Sequence, residues 1–208
     1  MRGIMDKKEL MKEYDEYYRR KPEKWTSDDR NEYARQVIED CLEYPPKNFL
    51  DIGCGNGHTI KYLKGFWTNT KFYGFDLSMQ AIEIAKAKLP DVDLHVGFLD
   101  EMTYSLQFDC ISLLGVIEHF ENLEWSLNQL YTMLAKDGII YIEAPNCLSY
   151  EDSTPVQGFR RVNFGNRQIE WHLTRESWVN YFQAAGFEIL LNKIGRTPQT
   201  EFIFVLKK

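Results

Sequence analysis

The chain has no Cys-x-x-Cys pair, no long apolar run and no excess of basic charge. Its four cysteines, Cys41, Cys54, Cys110 and Cys147, are scattered, which argues against a disulfide framework or a zinc cluster and for reduced thiols. A membrane-crossing helix needs ~18 apolar residues in a row, and no such run is present. The N-terminus is charged and lacks the apolar core of a secretory leader, so a cytoplasmic protein with no membrane span is expected. The net charge of −6 gives no general attraction to nucleic acid, and no nucleic-acid partner is expected. Internal repeats and low-complexity segments are also missing. At 208 residues the chain reads as one domain with a substantial core.

The most informative segment that is present runs Leu50-Asp51-Ile52-Gly53-Cys54-Gly55-Asn56-Gly57. It reads as a buried strand, a tight glycine loop and a helix entered at His58. Glycines let the backbone turn sharply and let a ligand approach closely. Further on, Tyr73-Gly74-Phe75-Asp76 places a carboxylate at the end of a second apolar strand. An acid at that place in an open α/β sheet holds ribose hydroxyls, so the ligand expected is an adenosine compound. The third glycine comes one residue too early for a dinucleotide fingerprint. Asp51 beside the loop would repel a pyrophosphate and suit an ammonium or sulfonium. This charge argument favours S-adenosyl-L-methionine over NAD. A tight strand–helix turn with no ligand is the plain alternative.

Strands are expected near 48–52, 71–76, 92–96, 108–113, 138–144, 187–194 and 200–206. Helices are expected near 5–20, from Thr26-Ser27-Asp28-Asp29 to Leu42, and near 57–65, 78–88, 121–135 and 174–185. Alternation of this kind argues for a mostly parallel sheet with helices on both faces. The short link Gly195–Gln199 makes the last two strands an antiparallel hairpin.

Leu50–Gly57, Phe72–Ser78, Gly97–Met102, Phe108–Phe120, Leu134–Asn146 and Trp171–Phe187 together carry a resemblance from about residue 48 onward. The chain resembles the class I S-adenosylmethionine-dependent methyltransferases, in particular the small-molecule enzymes of the ubiquinone-biosynthesis type. The resemblance implies a Rossmann-like seven-stranded, mostly parallel sheet with a reversed final strand. Residues 1–44 would form a helical lid, and 45–208 the methyltransferase domain, with 147–173 as a substrate-side insertion. Asp51, Gly53 and Gly55 would line the donor loop, Asp51 and Gly53 near the methionine part. Asp76 would accept both ribose hydroxyls. Leu77 and Met79 would pack on the adenine. Asp100 would accept from the adenine amino group, flanked by Leu99 and Met102, with Glu101 able to take the same part. Leu114 and Gly115 would pass beside the methionine moiety.

The same resemblance bears on the chemistry. In ubiquinone-type O-methyltransferases, a segment like Gly115–Phe120 supplies two Glu and a His to a divalent metal. Glu118 and His119 are kept here, but Gly115 stands where the first Glu would be. No metal is expected, since a hard cation needs several oxygen ligands. His119 and His172 are the candidate general bases, each with a packing or loop-forming role as its alternative. Arg160, Arg161 and Arg167 in the insertion read either as a solvated loop or as a clamp for an anionic acceptor. Tyr14, Tyr17 and Tyr18 share one face of the first helix, to cover the site or merely to pack. The expected activity is methyl transfer to O or N of a small-molecule acceptor. A protein acceptor and a non-catalytic S-adenosylmethionine-binding module are the alternatives. The oligomeric state stays open.

Overall fold

The computed structural model describes residues 6–23, 26–146, 158–163, 167–195 and 201–208, and between 158 and 172 the side chain of Trp171 alone. Five strands run parallel: β1 (Asn48–Ile52), β2 (Lys71–Asp76), β3 (Asp93–Val96), β4 (Phe108–Leu114) and β5 (Leu134–Pro145). β6 (Gly158–Asn163) and β7 (Arg167–His172) form a separate antiparallel hairpin. β8 (Glu188–Ile194) and β9 (Glu201–Lys207) close the main sheet. Its order is β3-β2-β1-β4-β5-β9-β8, and β9 is antiparallel to both of its neighbours. The seven strands and the reversed final one match the expected architecture.

Side chains alternate across the sheet and feed two apolar layers. Leu50 and Ile52 join Ile111, Leu113, Ile140 and Phe204 on one face. There they meet Leu127 and Leu130 of α5 (Leu123–Met133) and Trp178 and Phe182 of α6 (Arg175–Ala184). Phe49 joins Phe72, Cys110, Ile139 and Val205 on the other face. That face meets α2 (Asp28–Cys41), α3 (His58–Lys64) and α4 (Met79–Lys88) through Val37, Ile38, Ile60, Leu63, Ile82 and Ala85. Burial on both faces explains the nearly continuous apolar runs of the central strands. Each fully buried Val, Leu, Ile or Phe among them contributes ~1.5–3 kcal/mol by leaving water.

Helix starts follow local chemistry. Ser27 accepts from Arg30 N, Ser78 from Ala81 N, Asn122 from Trp125 N and Thr174 from Ser177 N, at 3.2, 3.1, 3.0 and 3.2 Å. The first helix, α1 (Lys7–Arg20), takes Asp6 as its cap.

Two elements differ from expectation. β5 starts at Leu134, where the helix was expected to be ending; Leu134 already pairs with Phe108 across a bulge. The insertion holds the β6–β7 hairpin where only a long loop was expected. Gly-Phe-Arg-Arg-Val-Asn does not alternate between apolar and polar, so the strand signal is weak there, although Gln168-Ile169-Glu170-Trp171-His172 does alternate over five residues. The expected link 196–199 between β8 and β9 lies outside the described residues. Among the described residues, no helix is long and apolar enough to cross a membrane.

Candidate donor and acceptor site

The glycine loop connects β1 to α3 at the carboxyl end of the sheet. Gly53 N and Cys54 N donate to Phe75 O at 2.9 and 3.1 Å, which pins the loop to the end of β2. Gly55 has φ +53°, and a Cβ there would lie 2.5 Å from the Tyr18 hydroxyl. Both conditions demand glycine. Tyr18 is thereby a lining residue of the loop, brought in by α1.

Asp76 ends β2 and is buried. Its Oδ2 accepts from Gly55 N at 2.9 Å and its Oδ1 from Ser78 N at 2.8 Å. Each oxygen keeps a lone pair for a further donor. Desolvation pushes the carboxyl up to about 6, against the pull of the two backbone donors. Asp51, near the end of β1, accepts from Ser112 Oγ at 2.6 Å. Burial pushes it up to about 7; Ser112 and the Arg30 charge act in the opposite direction, and Asp76 adds to the rise.

Leu77 is half-buried and Met79 is 52 % exposed at the start of α4. After β3, Leu99 is buried and Asp100 faces outward. Lys7 donates to both Asp100 oxygens at 2.7 Å and to Glu101 Oε1 at 3.2 Å. Glu101 Oε2 accepts from Phe98 N at 3.0 Å, so Glu101 caps its own turn and Asp100 does not. Asp15 accepts from Ser78 Oγ at 2.7 Å and from Gln80 N at 3.0 Å. Through Lys7, Asp15 and Tyr18, α1 therefore lies across the ends of β1, β2 and β3.

At the end of β4, Leu114 leads into Gly115, whose N donates to Glu143 O at 3.0 Å. Gly115 has φ +70°, a backbone reason for glycine at this position. A single turn, Ile117–His119, follows. Glu118 is buried, and His119 Nε2 lies 3.9 Å from Glu118 Oε1. Trp171 Nε1 donates to Phe120 O at 2.7 Å, which docks the β6–β7 hairpin on this turn. The His172 backbone ends β7 opposite Gly158; its side chain lies outside the described ones, as do those of Arg160, Arg161 and Arg167.

Asp51, Gly53, Gly55 and Asp76 thus come together around one loop, with Asp100 farther along and Leu114, Gly115 and His119 on the other side of Asp51. All lie at the carboxyl ends of parallel strands. Sequence reasoning missed Arg30, Ser112 and Glu143. Glu143 had a signal, a lone charge inside the apolar run Ile139–Pro145. Arg30 and Ser112 had none.

A model of the methyltransferase domain family matches residues 26–192. The chain belongs to that family. Demethylmenaquinone methyltransferase of Chlorobaculum parvum is 30% identical over 113 residues, covering 54% of this chain and 45% of the relative. An uncharacterized protein of Methanocaldococcus jannaschii is 31% identical over 161 residues, covering 74% of this chain and 55% of its own. This methyltransferase domain chain spans about half the length of both relatives. In fold it is similar to 1,6-didemethyltoxoflavin-N1-methyltransferase of Burkholderia thailandensis, with a TM-score of 0.76 at 17% identity. That likeness covers 100% of this chain and 92% of the other, which was crystallised with 1,6-didemethyltoxoflavin and S-adenosylhomocysteine.

The two buried acids give the methyltransferase domain a pH signature. Their folded values, about 7 and about 6, lie above the ordinary carboxylate value. Between roughly pH 4 and 7 the folded state holds protons that the unfolded chain has released. The ligand-free protein therefore loses this stability as pH rises through that window. Asp51→Asn, which cannot ionise, should melt above the wild type at pH 7.5 by a margin that shrinks towards pH 5. Thermal unfolding across pH would contradict this if the margin grew on acidification.

Proposed function

We propose that this domain transfers a methyl group from S-adenosyl-L-methionine to an oxygen or nitrogen of a small-molecule acceptor. The observation that carries the reading is the buried pair Asp51 and Asp76 around the glycine loop. Two desolvated carboxylates with unused lone pairs suit a ligand with a diol and cationic groups. When bound, S-adenosylmethionine supplies a methyl group on a positively charged sulfur that is already a good leaving group. Asp76 would accept the ribose hydroxyls, and Asp51 would face the cationic methionyl end, beside Gly53, Leu114 and Gly115. Leu77 and Met79 would hold the adenine, with Asp100 accepting from its amino group and Leu99 beneath. What remains for the protein is to hold donor and acceptor in line and exclude water.

The acceptor would sit between α1, the Glu118–His119 turn and the 147–173 insertion. His119 is the acceptor-side base in this reading, with His172 as its alternate. The three insertion arginines support an anionic acceptor, and the relative named for demethylmenaquinone supports a small one. The domain should release S-adenosylhomocysteine when mixed with S-adenosylmethionine and a panel of small phenols, amines and carboxylic acids, read by mass spectrometry. Excess EDTA should leave turnover unchanged, because Gly115 removes one carboxylate from the metal-type pattern. His119→Ala should lower kcat about 10²–10⁴-fold at constant donor affinity. Abolition by EDTA with rescue by magnesium would reverse the metal-free reading, and wild-type turnover in His119→Ala would make the turn structural.

A further inference from the structure

Asn56 is the side chain by which the glycine loop grips the segment between α1 and α2. It is buried. Its Nδ2 donates to Pro22 O at 2.5 Å and to Glu23 Oε2 at 3.2 Å, and its Oδ1 accepts from His58 N at 3.2 Å. A primary amide has two N–H donors, so residues 22 and 23 engage both of them. Glu23 is steered in turn by Lys88 at the end of α4. Lys88 Nζ donates to its Oε1 at 2.9 Å and holds the carboxyl below the ordinary range. A carboxylate in place of the Asn56 amide could donate to neither partner, and it would face the charge of Glu23.

The residue after Asn56 opens a route to that exchange. Gly57 has φ +76°, and a Cβ there would lie 2.7 Å from Leu89 Cδ1 and 3.1 Å from Ala85 Cβ, so the fold demands glycine. Asn56-Gly57 is the single Asn-Gly pair in the chain. A glycine nitrogen, with no Cβ in the way, attacks a preceding asparagine side chain more readily than that of a bulkier residue. Two restraints oppose the attack in the folded chain. Gly57 N donates to Cys54 O at 3.0 Å, and Pro22 and Glu23 hold the amide itself. The second restraint hangs on the surface, because Glu23 and its Lys88 partner are 60% and 27% exposed. A pair so open to water adds little to the hold.

We propose that Asn56 is a self-modification site whose deamidation detaches the α1–α2 segment from the glycine loop. When the segment lifts, Gly57 N forms a bond to Asn56 Cγ and the Cγ–Nδ2 bond breaks. Ammonia leaves, taking the Gly57 amide proton with it. Water then opens the cyclic imide at one of its two carbonyls and gives aspartate or isoaspartate. The new carboxylate repels Glu23 and has no donor for Pro22 O, so the segment cannot seat as before. The release is one-way and needs no reactant besides water. It stands apart from the donor reading, since each contact in it is internal to the chain.

Ageing the folded protein at pH 8 and mapping its peptides by mass spectrometry tests the chemistry. Asn56 should become a mixture of aspartate and isoaspartate. Glu23→Ala, which removes one restraint from the amide, should convert at least about threefold faster than wild type. Asn56 left intact in both proteins, or converting at one rate in both, would overturn the proposal. Hydrogen exchange tests the consequence. Asn56→Asp should speed exchange of the backbone amides of residues 7–23 at least about tenfold at pH 7.5, with β4 and β5 unchanged. Wild-type exchange in that segment would overturn the proposal as well. Should Asn56→Asp fail to fold, the aged wild-type fraction, separated by its added negative charge, is held to the same criterion.

Discussion

Asp76→Ala should bind S-adenosylhomocysteine more weakly by ~1.5–3 kcal/mol or more, the range for hydrogen bonds to a charged group. The carboxylate is placed for two further donors, because Gly55 N and Ser78 N already fix its orientation from behind. A ribose diol would meet an acceptor that needs no reorientation. The same replacement removes a buried group that resists ionisation, which helps the ligand-free fold near neutral pH. It also strips an acceptor from two backbone N–H groups, which hurts it. The two effects oppose each other, so the variant should fold while losing its ligand. Calorimetry on a protein whose circular dichroism matches wild type decides this. An unchanged dissociation constant would remove Asp76 from the donor site.

The second large effect concerns the fold. Glu143→Ala should cost about 3–5 kcal/mol, the usual loss when one partner of a buried ion pair is removed. Arg30 would be left charged and enclosed, and the Tyr141 hydroxyl would lose its acceptor. Replacing both charges, as in Arg30→Met with Glu143→Leu, should cost clearly less than the two single changes added together. Urea unfolding of wild type, Arg30→Met, Glu143→Leu and the double variant measures this coupling. A loss below about 1 kcal/mol in Glu143→Ala would mean that water reaches the pair and screens it.

What could be read from the sequence was local. The strand–glycine–helix unit from Leu50 to His58, the acid ending β2 and the caps at Ser27 and Thr174 are each written within a few residues. The central strands announce themselves because both of their faces are buried, so they read as apolar runs between polar breaks. The contacts that failed to show are long-range. Arg30 and Glu143 stand 113 positions apart, and Lys7 and Asp100 stand 93 apart. Helical patterning gives α2 an apolar face but does not say that the arginine in its first turn reaches the end of β5. The β6–β7 hairpin was hidden for another reason: it is small, and β6, Gly158–Asn163, lacks the alternation that would mark it as the partner of β7.

The position of β9 has a consequence for how the chain comes off the ribosome. β9 pairs with β5 on one side and β8 on the other, although β8 precedes it in the chain. Residues 134–145 are therefore translated well before the strand that covers their free edge. Until residues 201–207 emerge, β5 presents a row of unsatisfied backbone groups next to Ile139, Ile140 and Ile142, an invitation to pair with another nascent chain. A stall or cleavage between β8 and β9 would leave that edge open for good, so fragments ending there should aggregate.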